Sequence, residues 1–361
     1  MIVRNRDRDL DAMEFCEAFL ACPSEERYVL GRNVYSTALV AQMEIAGVID
    51  DFTPERVFEG VPVVRTGDVP TNALVLNAAG GRSLTARAQL DCCGLRNLDY
   101  FAFLQFSGLV LPDIIFNEGF AEEYGENRGE YDWIYSRFAD QSSRELFDQL
   151  VGFRNTPDIS YLHGFKARES EQYFEDFLKL RATGEVFVDV GCFDGSNSLE
   201  FARLAPDFRA IHAFEPDPHN FEVCVNNLRP LHRTSLHHMG LSDKRQTLKL
   251  SPGGSGSKIS AKETIDVVVD RLDDVLSDRP TLIKMDIEGA EHDALRGTHQ
   301  TVAAAHPRLA KSVYRQPGDF HRIPRLILAI RDDYDIYIRH YTETIYETVM
   351  FFLPRRGGSA A

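Results

Sequence analysis

Hydrophobic residues come in short runs set between stretches of helical spacing. In the second half of the chain the runs are EVFVDV (185–190), AIHAF (210–214), SLHHMGL (235–241), TLIKMD (281–286) and LAKSVYR (309–315). Two longer strand-like runs follow, YDIYIRHY (334–341) and ETVMFFL (347–353), close enough to form a hairpin. Strands alternating with helices predict an α/β domain built on a mostly parallel sheet, here of seven strands over 184–355. The front of the chain repeats the theme on a smaller scale. Residues 26–52 read as strand, glycine turn, helix and a second strand ending at Asp50 and Asp51, and 73–90 as strand, Gly80-Gly81 turn and helix. A smaller Rossmann-like α/β domain over 1–110 is expected, of nucleotide-binding type though degenerate. Helical spacing, as in Tyr173, Phe174, Phe177 and Leu178, marks 111–183 as a helical connector. SPGGSGS (251–257) reads as a mobile loop and 356–361 as a disordered tail.

Composition narrows the partners. The 361 residues exceed one average domain, and 43% hydrophobic content is ordinary for a globular protein. A formal net charge of −15, with no basic run, opposes a phosphate backbone, so nucleic acid is not an expected partner. The six cysteines show no C-x-x-C pair, which disfavours a zinc site or a disulfide framework and suits a reducing cytoplasm. No signal-peptide core and no membrane-length apolar stretch is visible, so neither export nor a membrane is expected.

The most informative stretch is VFVDVGCFDGSNS (186–198), a strand that turns through Gly191 and Gly195 into a helix. Such a turn brings backbone close to something, and a ligand-free turn is the bland alternative. The loop fits neither the dinucleotide nor the phosphate-loop pattern. Asp189 and Asp194 would repel a pyrophosphate at short range. S-adenosylmethionine suits it better: Asp189 can accept from the cationic amino group. Glu215, 24 residues after Gly191 in HAFEPDPHNF, can accept from both ribose hydroxyls. An acid so placed also serves NAD, and Asp194 can equally cap the following helix.

FVDVGCFDGSNS, AFEPDPHNF, GLSDK, RLDDVL and IKMDIEGAEHDALRG, in that order, resemble the FkbM family of S-adenosylmethionine-dependent methyltransferases. The weightiest segment is Lys284-x-Asp286-x-Glu288-Gly289-Ala290-Glu291, and the resemblance extends through VYRQPGDFHRIP and YIRHY. It implies a seven-stranded class I methyltransferase domain and methyl transfer to a hydroxyl of a sugar, glycan precursor or glycosylated natural product. The implied cofactor site comprises Asp189, Gly191, Phe193, Asp194 and Gly195, then Glu215, Pro216 and Asn220, then Ser242 and Asp243. Cys192 and Phe193 vary the loop, and Arg315 stands where relatives often have histidine, which puts the acceptor pocket in question rather than the cofactor site.

Methyl transfer is an in-line displacement, so positioning carries much of the catalysis, and a sugar hydroxyl needs a base or a metal to take or acidify its proton. Asp286, at the end of the fourth strand, is the first choice for base, with Glu288 at the helix entrance; Lys284 either pairs with a carboxylate to fix the site or snorkels from an edge. Glu288 and Glu291 can equally complement a helix dipole. Asp286, Glu288 and His292 have the chemistry for a hard divalent metal, although none is expected. On YIRHY, His340 faces the side opposite Arg339 and Tyr341; His340 is a candidate second base or a satisfied structural residue. Tyr314, Arg315, Arg339 and Tyr341 are the candidates for binding a small-molecule or saccharide substrate. Core packing is the alternative for Tyr314.

The first domain has one glycine, Gly31, in its first loop, but NAAGGRS (77–83) can present amides and Arg82 to an anion, or form a scaffold for substrate or for a second copy in a homo-oligomer. Three further readings stay open: an N-methyltransferase, a nicotinamide-dependent oxidoreductase using the front domain, and a non-catalytic sensor of the cofactor.

Overall fold

The structure, a computed structural model, describes residues 9–250, 264–287 and 289–355. The expected mobile loop at 251–257, the tail at 356–361 and Glu288 lie outside the described residues. Contacts divide the chain into two units. The first holds residues up to 126 together with 145–169 and 340–346; the second holds 127–144, 170–339 and the residues from 347. This partition departs from boundaries at 110 and 183. Phe153, Ile159 and Ile345 belong to one hydrophobic cluster with Phe15, Phe19 and Phe103, so 145–169 and 340–346 bury their apolar side chains in the first unit.

The first unit carries a six-stranded sheet of β1 (Arg27–Leu30), β2 (Gly47–Ile49), β3 (Val57–Phe58), β4 (Val61–Val64), β5 (Leu74–Asn77) and β6 (Arg96–Asp99). The order is β3-β4-β2-β1-β5-β6, parallel apart from β3 against β4. Asn33 starts the helix Val34–Val40 by a reciprocal capping box with Ser36, which explains why the chain leaves β1 so abruptly. The topological switch falls between β1 and β5.

The second unit is built on β7 (Val186–Val190), β8 (Ala210–Phe214), β9 (Thr234–His237), β13 (Leu282–Met285), β14 (Arg308–Ser312), β15 (Tyr334–His340, with His340 counted in the first unit) and β16 (Thr348–Pro354). Their order is β15-β16-β14-β13-β7-β8-β9, with β16 antiparallel to β14 and β7, β8, β9, β13 and β14 parallel. This is the mixed α/β, Rossmann-like class I architecture. β7 and β13 are buried at every residue, as expected of central parallel strands covered on both faces.

Two local readings are corrected. SLHHMGL is not one strand: it breaks after His237, where Met239 N–H donates to the His237 carbonyl. Gly240–Leu241 then joins β10 (Gly240–Leu241), β11 (Gln246–Leu250) and β12 (Ile265–Asp270) in a separate sheet of order β10-β12-β11. Residues 170–179 are not a helix but two 3₁₀ turns, with Tyr173 (φ 73°) left-handed between them. Tertiary partners override the spacing: Phe174 packs on Phe187 and Phe201, Phe177 on Tyr337 and Phe351, and Tyr173 turns to Asp286. Among the described residues no helix is long and apolar enough to cross a membrane.

Candidate active site

The site forms where the strand order reverses, between β7 and β13, the position at which open α/β sheets bind ligands beyond their carboxyl ends. Asp189 on β7 and Lys284 on β13 are cross-strand register partners. The Lys284 Nζ lies 3.0 Å from Asp189 Oδ1 and donates to the Gly191 carbonyl at 2.6 Å, and both side chains are almost wholly buried, 3% and 0% exposed. Burial opposes the ammonium, yet Asp189 and Asp286 beside it hold its pKa above the ordinary lysine value. The other Asp189 oxygen accepts from Ser198 Oγ at 2.8 Å. The oxygens expected to meet a cofactor amino group are thus engaged by Lys284 and Ser198, and the pair fixes the start of the glycine loop.

The glycines are required by packing. Gly191 (φ 73°) is so close to β13 that a Cβ would fall 2.0 Å from the Asp286 carbonyl oxygen, and one on Gly195 (φ 83°) would fall 2.9 Å from Leu228. Between them Phe193 adopts φ 53° and is 59% exposed, while its N–H donates to Glu215 Oε2 at 2.9 Å. Glu215, just past β8, also accepts from Asp217 N–H at 3.0 Å, and burial pushes its carboxyl above the ordinary value. Pro216 is half-buried, packed beside Gly240, and Asn220 N–H donates to the Asp217 cap of the helix Pro218–Leu228. Asp194 accepts from Ser196 N–H at 2.9 Å, the local turn that starts the next helix. Ser242 is buried at the end of β10, its N–H bonded to the Asp270 carbonyl, and Asp243 is exposed. Cys192, on the loop, sits 3.4 Å from Cys224, sulfur to sulfur.

Asp286 follows β13 and lies among polar groups from four segments. Its Oδ2 accepts from the Tyr173 hydroxyl at 2.8 Å, and its Oδ1 lies 3.5 Å from an Arg315 nitrogen. Burial would raise its pKa, but Lys284, Arg315, the Tyr173 hydrogen bond and Lys311 together hold it below the ordinary value. Tyr314 is buried, donating to Glu347 Oε1 at 3.0 Å, and the Arg315 guanidinium lies over its ring. Gln172 Nε2 donates to the second Glu347 oxygen at 2.6 Å. Burial and the Asp286 charge push Glu347 above the ordinary value. Lys284, Asp286, Tyr314 and Arg315 are thus brought together in the structure. Tyr173, Gln172 and Glu347 were not foreseen: Tyr173 sat in an apparently helical pattern, and Glu347 reads as the unremarkable first residue of a strand.

Other candidates lie elsewhere. His340 and Tyr341 belong to the first unit, where His340 packs on Phe165 and burial pushes its pKa down to about 3, and Arg168 covers the Tyr341 ring. Arg339 bonds Asp140 at 2.6 Å and Ser143 at 2.9 Å, a structural arrangement within the second unit. His292 lies 3.3 Å from Asp319 rather than joining Asp286. Among the described residues no three His, Cys, Asp or Glu side chains are grouped to hold a metal ion. In the first unit, the expected anion position at the start of the helix Ser83–Cys92 is taken by the chain itself: the Glu343 carboxylate accepts from Thr85 N–H at 2.7 Å and Thr85 Oγ1 at 2.5 Å.

Residues 189–339 match the methyltransferase FkbM domain. The chain is 32% identical over 143 residues to the 2-O-methyltransferase NoeI of Sinorhizobium fredii, a match covering 32% of this chain and spanning 58% of that relative's length. The crystal structure of methyltransferase FkbM from Methylobacillus flagellatus KT superposes with a TM-score of 0.74 at 23% identity, covering 95% of this chain and 93% of the other, and so shares the fold. Residues 189–339 are therefore similar to the methyltransferase FkbM domain, and they lie on a class I, Rossmann-like sheet.

Proposed function

We propose that the protein is an S-adenosylmethionine-dependent O-methyltransferase acting on a hydroxyl of a sugar, glycan precursor or glycosylated natural product. The observation that carries this reading is the charge at the switch point. Glu215 and Asp286 stand at the strand ends, while the nearby cations, Lys284 and Arg315, face Asp189 and Asp286. A donor set of this kind fits a cationic sulfonium nucleoside and opposes a pyrophosphate. The backbone of Gly191 to Gly195, with Phe193 over it, and Glu215 toward the ribose would hold the cofactor; Pro216, Asn220, Ser242 and Asp243 complete the proposed surround. When bound, the cofactor supplies an activated methyl group on a positively charged sulfur.

The chain's own residues then have three tasks. The Lys284–Asp189 pair holds the loop, Asp286 presents a fixed negative charge at the strand end, and Tyr314 and Arg315 border the acceptor side. The likeness to a 2-O-methyltransferase supports a hydroxyl acceptor. Six cysteines, none in a disulfide, support a reducing compartment, and we place the protein in the cytoplasm.

Calorimetric titration with S-adenosylhomocysteine and, separately, NADH tests the reading. We expect binding of the former and a loss of at least about tenfold in affinity for Glu215→Ala, since carboxylate hydrogen bonds contribute about 1.5–3 kcal/mol each. NADH binding in place of S-adenosylhomocysteine would overturn it.

A further inference from the structure

Two carboxylates, Asp286 and Glu347, lie on either side of Tyr314 and Arg315, and their surroundings differ in kind. Asp286 faces cations, Lys284, Arg315 and Lys311, and accepts from Tyr173. Glu347 faces two neutral donors, the Gln172 amide and the Tyr314 hydroxyl, with Arg315 as the cation acting on it and Asp286 as the opposing charge. Tyr314 and Arg315 link the two: Arg315 reaches the Tyr314 hydroxyl at 3.1 Å and Asp286 at 3.5 Å. Both carboxylates remain partly open to solvent, whereas Lys284, Tyr173 and Tyr314 are buried. Glu347 also holds a left-handed backbone, φ 58°, immediately before β16, at the point where Val313 N–H bonds to the Thr348 carbonyl. A non-glycine residue in that conformation is sustained only by its surroundings, and such residues gather at functional sites.

When two carboxyl groups are driven apart in this way, the one held firmly ionised is the weaker base and the other suits proton transfer. We propose that Glu347, rather than Asp286, accepts the proton of the hydroxyl that is methylated; the proposal rests on the methyl-transfer reading above. The acceptor oxygen forms its bond to the methyl carbon as the carbon–sulfur bond breaks. Both electrons of that bond go to sulfur, leaving a neutral thioether, and the hydroxyl proton passes to a Glu347 oxygen and then to water. Tyr314 and Gln172 are positioning residues, orienting the carboxylate by one hydrogen bond each.

The test has two parts on the full chain. In the first, carboxyl ¹³C NMR of protein labelled at Asp and Glu is followed against pH in saturating S-adenosylhomocysteine, with Glu347→Gln and Asp286→Asn supplying the assignments. Glu347 should titrate above the ordinary glutamate range and Asp286 below the ordinary aspartate range; the opposite order, or Glu347 fully ionised at pH 4, overturns the proposal. In the second, tritiated S-adenosylmethionine is offered with a mixture of methyl glycosides of glucose, galactose, mannose, fucose and N-acetylglucosamine. Glu347→Gln should lower kcat by about 10²-fold or more. It should remove the acid limb of the pH profile and leave S-adenosylhomocysteine affinity within about threefold, with partial recovery in Glu347→Asp. Retention of the limb and of turnover within tenfold overturns the assignment. A wild-type protein that binds S-adenosylhomocysteine but methylates no glycoside refutes the saccharide reading instead, and the titration order then decides for or against Glu347.

Discussion

Replacing Lys284 by methionine removes the cation paired with Asp189 while keeping the length of the side chain. Asp189 is fully buried and, among the described residues, would retain the Ser198 hydroxyl, and the Gly191 carbonyl would lose its 2.6 Å donor. Breaking a buried pair by removing one partner costs about 3–5 kcal/mol, and an unsatisfied buried carbonyl about 1–3 kcal/mol, with the two not additive because they share one nitrogen. A loss of about 3–5 kcal/mol is expected, which for a unit of this size lowers Tm by roughly 6–20 °C. The protein has a single tryptophan, Trp133, inside the second unit with the Arg325 guanidinium 3.6 Å over its ring, so its fluorescence reports unfolding of that unit. Because the folded pKa of Lys284 is raised, the contribution is complete below the unfolded value of about 10.4 and fades as pH rises through the folded one. The gap between wild type and variant should therefore be flat from pH 7 to about pH 10 and narrow above it. Lys284→Met with Asp189→Asn removes both charges of the pair and should be more stable than Lys284→Met alone. A single-variant loss below about 1 kcal/mol, or a double variant that merely adds the two losses, would show that the pair is hydrated and refute the argument.

Gly191→Ala should destabilise by about 3 kcal/mol or more in chemical denaturation, because it combines a left-handed backbone with a Cβ placed 2.0 Å from the Asp286 carbonyl oxygen. Arg339→Ala should cost about 1–2 kcal/mol at pH 7. Burial disfavours the Asp140 carboxylate, but Arg339 and Ser143 hold its pKa below the ordinary value. The contribution is therefore present above the unfolded value of about 3.9 and lost as pH falls through the folded one, so melting curves of wild type and variant should converge in acid. Brief iodoacetamide treatment of the native protein should modify Cys92 and Cys93, which are exposed. Cys16, its thiol pushed up to about 11 by burial, and Cys192, raised by its contact with Cys224, should be spared in peptide mass mapping.

The succession of strands along the chain and the glycine turn were legible because they are local. EVFVDV reads as an apolar strand, and in the structure Val186–Val190 is buried at every residue, as a covered central strand is. Gly191 and Gly195 mark positions where a Cβ has no room. That Lys284 pairs with a carboxylate was one of two readings open in the sequence, and the structure bears it out, since a lysine inside an apolar strand needs a counter-charge. The partner's identity did not: Asp189 and Lys284 are 95 residues apart and meet because β7 and β13 are neighbours in register. The same holds for Tyr173 and Glu347. Nothing in their local sequence separates Tyr173 from a helix-core aromatic or Glu347 from an ordinary strand-end acid. Their roles arise because chain segments far from β13 converge on Asp286, and a carboxylate's pKa is set by the charges and hydrogen-bond donors around it rather than by its neighbours in sequence. His340 shows the converse: it closes the strand Tyr334–His340, but 340–346 packs with the first unit, where Ile345 is buried. Periodicity and glycine placement thus determined the fold and where the loop turns. Only the tertiary structure decided which charges meet, because burial and long-range contact act on side chains that the sequence keeps far apart.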